Sequence, residues 1–150
     1  MPEIPEKLAL TLDALAMVPD RNERIQMLID IADRFHEVPQ RIARRPYSTL
    51  NEVPACESQA YFFEEKRPDG TLGYHFAVDN PQGVSAKALA VLLGETLSGA
   101  PPEQVAAIPQ DLIYQIFGNE LSMGKSMGLM GMVQMVKSAA KRAAEAQASP

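Results

Sequence analysis

The amino-acid sequence predicts an α+β fold, in which a small antiparallel β-sheet of about three strands packs against several helices. Apolar residues recur at helical spacing towards both ends of the chain, and two segments near its middle are rich in aromatic residues. The turn sequence Pro68-Asp69-Gly70 lies between these two segments, which is typical of a β-hairpin. A chain of 150 residues without an evident linker or internal repeat predicts one domain over 1–150.

The first 36 residues predict two antiparallel helices. The first helix carries leucines at helical spacing, namely Leu8, Leu12 and Leu15. Asp20 and Glu23 resemble a capping box at the start of the second helix, with Asp in place of Ser or Thr. The second helix carries an apolar stripe at i, i+3, i+4 and i+7, formed by Ile25, Leu28, Ile29 and Ala32. We therefore expect both helices to pack against another part of the molecule.

The segment 37–58 predicts a long loop that carries the only cysteine of the chain, Cys56. Three prolines interrupt any helix there, because proline lacks an amide donor and restricts the residue before it. They are Pro39, Pro46 and Pro54. Val53 and Pro54 form the weak end of a possible third strand. Long loops of this kind are often functional, which draws attention to the cysteine.

The segment 59–79 predicts the hairpin, and 84–147 predicts helices only. Period-two alternation puts one set of residues on the same face of the second strand, namely Leu72, Tyr74, Phe76 and Val78. Helices are expected at 85–97, around 103–107, around 111–117 with Gly118 as C-cap, and from Lys125 or Ser126 towards Ala146. Close packing near the start of the last helix is indicated by three glycines, namely Gly124, Gly128 and Gly131.

Composition and charge argue against several classes of function. The formal net charge of −5 disfavours nucleic acid as a partner. No apolar run reaches the roughly 20 residues that a membrane span needs. The first residues lack the basic and apolar regions of a secretory signal, so a cytoplasmic protein without a membrane partner is expected. One cysteine and two distant histidines predict no metal site.

The candidate reactive group is the thiol of Cys56, which lies where the loop meets the first predicted strand. A lone cysteine cannot form an internal disulfide, so any partner of the thiol belongs to another protein. Free cysteines often pack in the core, and that structural alternative stays open. The proline before the cysteine and the polar residues after it are unlike the middle of an apolar strand, which favours an accessible thiol.

Three motifs along the chain carry a resemblance to a known family. Cys56-Glu57-Ser58-Gln59 followed by Tyr61 resembles the pattern Gly-Cys-x-Ser-Gln-x-Trp. Lys87-Ala88-Leu89-Ala90 resembles Lys-Gly-Leu-x, and Lys125-Ser126-Met127-Gly128-Leu129 resembles Arg-Ser-x-Gly-Leu ahead of a long helix. In this order and spacing, the motifs resemble the SufE-type sulfur acceptors of iron–sulfur cluster assembly. The resemblance extends over most of the chain and implies the α+β fold of SufE-like and IscU-like proteins.

Four positions depart from the family pattern. Ala55 stands where the family has glycine, which predicts a loop less free to adopt a positive φ. Tyr61 replaces tryptophan, and Lys125 replaces arginine, which keeps the charge but loses bidentate geometry. Pro81-Gln82-Gly83 stands in place of Ser-Asp-Ala and so lacks a carboxylate, although Asp79 is near in sequence.

The resemblance implies an accessory sulfur-transfer protein, monomeric or weakly dimeric and without a bound cofactor, with Cys56 as its covalent carrier. The thiol would take persulfide sulfur from a PLP-dependent cysteine desulfurase of the SufS type, stimulate that enzyme, and pass the sulfur to a SufBCD-type iron–sulfur scaffold. The absence of a resolving cysteine fits, because a second thiol would expel the sulfur as sulfide. Residues for docking or charge stabilisation are expected among Glu57, Ser58, Gln59, Tyr61, Lys125, Arg41, Arg44 and Arg45.

Two other functions stay open. One is a thiol redox enzyme of the one-cysteine peroxidase or reductase kind, and the other is a non-catalytic adaptor whose cysteine belongs to the core.

A further hypothesis concerns the surroundings of the thiol. Cys56 is expected to rest in a partly shielded pocket lined by the aromatic residues of the hairpin, with Lys125 or an arginine of 41–45 supplying positive charge, until docking releases it.

Overall fold

A computed structural model describes residues 3–56, 58–80, 83–119 and 121–148. Within these ranges the chain forms six α-helices, a 3-10 turn at Thr49–Asn51 and one antiparallel sheet. The elements in chain order are α1 (Glu6–Ala16), α2 (Arg21–Ala32), β1 (Ala60–Lys66), β2 (Leu72–Val78), α3 (Val84–Leu97), α4 (Pro102–Ala106), α5 (Leu112–Phe117) and α6 (Met123–Ala148). The predicted α+β class is confirmed.

The sheet is a hairpin of two strands, so the prediction of about three strands is wrong. The segment before the cysteine adds one hydrogen bond, from Val53 N–H to the carbonyl oxygen of Ala60 at 2.8 Å. An isolated bridge also joins Glu52 to Tyr61. These contacts stop short of a strand because Pro54, the next residue, has no amide to continue the ladder.

The hairpin divides its side chains between two faces. β1 and β2 pair from Ala60 opposite Val78 to Lys66 opposite Leu72. Alternate residues face the helices and belong to the main core, as the period-two pattern predicts. On β2 these buried residues are Leu72, Tyr74, Phe76 and Val78. The predicted core face of this strand is therefore confirmed.

The predicted loop 37–58 covers the other face of the hairpin with its first half. Val38 joins Phe63 and Ala77 in a second, smaller apolar cluster. Its N–H donates to the carbonyl oxygen of Phe76 at 2.9 Å, on the outer edge of β2. Tyr47 packs on the ring of Phe63 with 5.0 Å between centroids. The hairpin is thus enclosed by helices on one side and by this segment on the other.

The helices end within a few residues of their predicted bounds. The predicted cap of α2 is present, since the Asp20 carboxylate accepts a hydrogen bond from the N–H of Glu23 at 3.0 Å. α6 begins at Met123, slightly earlier than predicted, because the Ser122 hydroxyl accepts a hydrogen bond from the N–H of Lys125 at 3.2 Å. No described helix has both the length and the apolar character that crossing a bilayer requires.

α3 is the central helix, and α1, α2 and β2 all pack against it. Its buried residues lie on nearly every side, as expected for a helix surrounded by other elements. α2 presents Leu28 and Ala32 to the core. Ile25 and Ile29 of the same predicted stripe remain 44% and 37% exposed. The apolar stripe of α2 is therefore wider than the surface that the core covers.

Candidate functional site

Cys56 lies in the wall of a pocket of about 200 Å³ between the first turns of α3 and α6. The thiol is free and half-buried. The pocket is lined by Cys56, Ser58, Asn80, Gly83, Val84, Ser85, Ala86, Gly124, Lys125, Gly128 and Leu129. Three parts of the chain that are distant in sequence therefore meet at the cysteine.

Two glycines of α6 allow the cysteine loop to lie directly on this helix. A Cβ atom at Gly128 would stand 2.9 Å from Cα of Cys56, closer than real Cβ atoms approach another atom. A Cβ atom at Gly131 would stand 3.2 Å from the carbonyl oxygen of Pro54. The predicted close packing at these two glycines is confirmed, and it seats the loop that carries the thiol.

The loop turns sharply on both sides of the cysteine through residues in the left-handed region. Ala55 has a φ of 58° and Gln59 a φ of 50°. Between them, the carbonyl oxygen of Cys56 accepts a hydrogen bond from the N–H of Gln59 at 3.2 Å. Ala55 therefore adopts a positive φ, in a loop that the sequence predicted to be less free to do so than one with glycine. This left-handed conformation has a steric cost that glycine would not carry.

Ser58 and Gln59 tie the far side of the loop to the residues that follow β2. The carbonyl oxygen of Ser58 accepts a hydrogen bond from the N–H of Asn80, and that of Gln59 accepts one from the N–H of Asp79, both at 3.1 Å. The Ser58 hydroxyl lies against Gly83, where a Cβ atom would stand 2.8 Å from it. These contacts fix the distance between the cysteine loop and the start of α3.

Among the described residues, one lysine and one helix N-terminus place positive charge at the mouth of the pocket. Lys125 is exposed on its rim, and no described carboxylate forms an ion pair with it. α3 points its N-terminal end at the same space, and no side chain caps that end among the described residues. The aligned peptide dipoles of a helix place partial positive charge at its N-terminus. The pocket is therefore suited to an anionic group beside the sulfur of Cys56.

The sequence model of one protein family matches most of the chain and includes every residue that lines this pocket. The SufE family, described as an Fe-S metabolism associated domain, matches residues 9–140. The chain belongs to the SufE family. This membership associates the protein with iron–sulfur metabolism. No curated protein matches the sequence at a significant level.

A solved structure with the same fold comes from a thermophile. The solution structure of a hypothetical protein from Thermus thermophilus has a TM-score of 0.73 to this chain at 22% sequence identity. The match covers 93% of this chain and 97% of the other. At this level of identity the similarity concerns the fold alone, and it extends over nearly all of this SufE-family chain.

The three arginines that were expected near the thiol lie elsewhere in this SufE-family protein. Arg41 forms an ion pair with Glu65 at 2.7 Å, and Arg45 forms one with Asp79 at 2.6 Å. Arg44 lines a hollow on the outer face of the hairpin. None of the three lines the pocket of Cys56. The hypothesis that an arginine of 41–45 supplies charge to the thiol is not supported, whereas Lys125 lines the same pocket as Cys56.

Tyr61 also lies away from the thiol, on the outer face of the hairpin. Its ring packs on Tyr47 with 5.2 Å between centroids. The expectation that aromatic residues of the hairpin line the pocket is wrong, because the ends of two helices form its walls. Glu57 and Gln82, which the sequence singled out, lie outside the described residues. No group of three or more potential metal-ligating side chains occurs among the residues that the structure describes.

Sequence reasoning missed the contribution of the α3 N-terminus to the pocket. Asn80, Gly83 and Ser85 all line it, yet only the glycine carries a signal in the sequence, as a break before an apolar helix. Their proximity to Cys56 depends on the packing of α3 beside the cysteine loop. A pattern confined to short windows cannot report such a contact.

Proposed function

We propose that the protein carries sulfur as a persulfide on Cys56, taking it from a cysteine desulfurase and passing it to an iron–sulfur scaffold. Membership of the SufE family supports the metabolic context. The observation that carries the proposal is the half-buried free thiol beside a small pocket. The rim of this pocket holds a helix N-terminus and a lysine that pairs with no described carboxylate.

The transfer needs one nucleophilic sulfur and no added oxidant. The thiolate of Cys56 attacks the terminal sulfur of the donor's persulfide, a new S–S bond forms, and the donor's S–S bond breaks. The donor cysteine leaves as a thiolate, and Cys56 then holds the sulfane sulfur. A thiolate of the acceptor attacks that terminal sulfur in turn, and Cys56 leaves as a thiolate. One sulfur atom moves at each step without net oxidation or reduction.

The pocket supports this chemistry in two ways. Its volume of about 200 Å³ leaves room for a second sulfur atom next to Cys56. Lys125 and the N-terminus of α3 place positive charge beside the space that the second sulfur atom would occupy. The walls also limit contact of a bound persulfide with bulk thiols, which would otherwise release the sulfur as sulfide.

Activity of the cysteine desulfurase from the same organism tests the proposal. The rate at which the desulfurase forms alanine from cysteine is measured in three reactions. One contains the wild-type protein, one contains Cys56→Ser, and one contains the desulfurase alone. We expect the wild type to accelerate alanine formation under conditions where persulfide removal limits turnover, and Cys56→Ser to give no acceleration. Equal acceleration by both proteins would favour the adaptor role. Formation of a stable sulfenic acid with peroxide, and no persulfide with the desulfurase, would favour the redox enzyme.

A further inference from the structure

Arg45 joins the segment 37–58 to the end of the hairpin. One nitrogen of its guanidinium, Nη2, donates hydrogen bonds to the carboxylates of Glu37 and Asp79, the second at 2.6 Å. Its Cζ atom lies 4.8 Å from the centroid of the Tyr47 ring, which is a cation–π contact. Glu37 and Tyr47 belong to the segment 37–58, whereas Asp79 directly follows β2. Contacts of one side chain therefore bind this segment to the end of β2.

The part of the segment that carries Arg45 is itself supported by the hairpin. The ring of Tyr47, two residues further along the chain, packs on the rings of Tyr61 and Phe63 with 5.2 Å and 5.0 Å between centroids. Both partners of Tyr47 lie on the outer face of β1. Arg45 therefore extends from a fixed position, so its guanidinium can hold the Asp79 side chain in place.

Asp79 lies where the loop that carries Cys56 is attached to the hairpin. The N–H of Asp79 donates to the carbonyl oxygen of Gln59 at 3.1 Å. The N–H of Gln59 donates in turn to the carbonyl oxygen of Cys56 at 3.2 Å. Gln59 has a φ of 50°, a conformation that persists in residues other than glycine only where the surroundings hold it. The position of Cys56 therefore depends on the position of Asp79.

The burial and charge of this ion pair allow it to hold the loop. The Asp79 side chain is 26% exposed, and that of Arg45 is 50% exposed. Fully exposed ion pairs contribute little, whereas a charge-assisted hydrogen bond to a partly buried carboxylate is stronger. The hydrogen bonds to Glu37 and to Asp79 raise the pKa of Arg45, so the guanidinium stays charged at every pH at which a thiol titrates.

We propose that Arg45 is a positioning residue, which acts through Asp79 to hold the loop that carries Cys56 against the thiol pocket. The inference rests on the proposed function and deepens it, since it names a side chain that keeps the transferred sulfur between the walls of the pocket. Arg45 does not itself line that pocket, so its effect on the thiol is indirect. Without Arg45 the loop should open more often and expose the sulfur to small reagents.

The rate at which iodoacetamide alkylates Cys56 in Arg45→Ala tests the proposal without a desulfurase. We expect a rate about fivefold above the wild type, a modest increase because partly exposed ion pairs are weak. Arg41→Ala is the matched control and should change the rate less than about twofold. Arg41 lies on the same segment and pairs with a carboxylate of the same hairpin at 2.7 Å. Its partner Glu65, however, lies opposite Gly73, near the turn and away from the loop.

Three further variants separate positioning from a general loss of stability. Arg45→Lys should react within about twofold of the wild type, because both hydrogen bonds leave from one nitrogen, which an ammonium group can replace. Asp79→Ala should react about as fast as Arg45→Ala, and the double variant no faster, since the two side chains act as one pair. Urea denaturation gives the unfolded fraction of each variant, and alkylation through that fraction is subtracted.

A persulfide on Cys56 should respond to the same substitutions as the thiol. The protein is loaded with inorganic polysulfide, and the sulfide released by glutathione is measured. A glutathione thiolate attacks the inner sulfur, the S–S bond of the persulfide breaks, and hydrosulfide leaves as a mixed disulfide forms. We expect release about fivefold faster from Arg45→Ala than from the wild type, and an almost unchanged rate from Arg41→Ala.

Three results would overturn the inference and spare the proposed function. The first is alkylation of Arg45→Ala at the rate of Arg41→Ala. The second is a double variant of Arg45 and Asp79 whose rate increase is the product of the two single increases. The third is an Arg45→Lys variant that reacts as fast as Arg45→Ala. By contrast, wild-type protein that the desulfurase never loads would remove the proposed function, while the alkylation rates would still report on the position of the loop.

Discussion

Ala55, the residue before the cysteine, holds a backbone conformation that alanine disfavours. Its φ of 58° lies in the left-handed region, where a Cβ atom crowds the following carbonyl oxygen. The steric cost for a residue other than glycine is about 1–2 kcal/mol. Glycine would remove that cost but would lose about 0.4–1 kcal/mol through its greater freedom in the unfolded chain. The two effects are similar in size, and the steric effect is the larger.

We expect Ala55→Gly to leave the free energy of unfolding unchanged or to raise it by up to about 1 kcal/mol. Ala14→Gly is the matched control, because Ala14 is exposed within α1 in a helical conformation. There the same substitution should lower the free energy of unfolding by about 1 kcal/mol. Urea denaturation of the three proteins measures the difference. If Ala55→Gly and Ala14→Gly lower the free energy of unfolding by the same amount, Ala55 is not strained.

The start of α6 supports the cysteine loop as a unit, through Gly128 and Gly131. We predict that Gly128→Ala displaces the loop, because the new Cβ atom would lie 2.9 Å from Cα of Cys56. The helix itself gains up to about 1 kcal/mol from alanine, while overpacking costs about 1–3 kcal/mol. The displaced thiol should react with iodoacetamide several-fold faster than in the wild type.

Gly131→Ala is the graded control for this prediction. Its Cβ atom would lie 3.2 Å from the carbonyl oxygen of Pro54, which a shift of a few tenths of an ångström relieves. Alkylation of Cys56 in this variant should therefore remain near the wild-type rate. If Gly128→Ala and Gly131→Ala both react at the wild-type rate, the seating of the loop on α6 does not control access to the thiol.

The hairpin and the segment that covers it are joined by a charged network centred on Glu65. Arg41 donates to its carboxylate at 2.7 Å, and Nε2 of His75 lies 2.8 Å from it. The hydrogen bond from Arg41, followed by that from His75, lowers the pKa of Glu65 from 4.5 to about 2. A carboxyl group whose pKa is lower in the folded state stabilises the fold above its unfolded pKa and loses that contribution as the pH falls.

The free energy of unfolding should therefore fall as the pH decreases from 4.5 to about 2, in part through protonation of Glu65. Glu65→Gln should lack this part of the pH dependence. The difference in the free energy of unfolding between the wild type and Glu65→Gln should therefore become smaller as the pH falls. Asp13→Asn, on the exposed side of α1, controls for the loss of one carboxylate. Chemical denaturation between pH 2 and about 6 measures the effect. If the free energies of unfolding of the wild type and Glu65→Gln differ by the same amount over this pH range, Glu65 does not have a lowered pKa in the folded state.

Patterns within single elements predicted the helices and the hairpin well, and they failed where another element decides the outcome. The predicted buried face of β2 is confirmed, because the local sequence encodes both strands of the hairpin and the turn between them. The third strand is absent because Pro54 ends the pairing after Val53. Ile25 and Ile29 stay exposed although the spacing of α2 predicts an apolar face, since that spacing cannot tell a core from a partner surface.

The molecule as a whole assembles its site from segments that are far apart in the chain. Cys56 and Lys125 were expected to act together, and the structure does bring both to one pocket. That expectation came from motif resemblance, since no local pattern links the two positions. The part played by Ser85 and Gly83 at the start of α3 could not be predicted, because it depends on how α3 packs beside the loop.

The intact mass of the protein after incubation with the desulfurase, PLP and cysteine tests the role of Cys56 most directly. We expect the intact mass of the wild type to rise by about 32 Da, one sulfur atom, and to return to its starting value on treatment with dithiothreitol. The masses of its peptides should place the added sulfur on the peptide that contains Cys56. Cys56→Ser should gain nothing under the same conditions. An unchanged mass of the wild type while the desulfurase turns over cysteine would contradict a persulfide carried on this thiol.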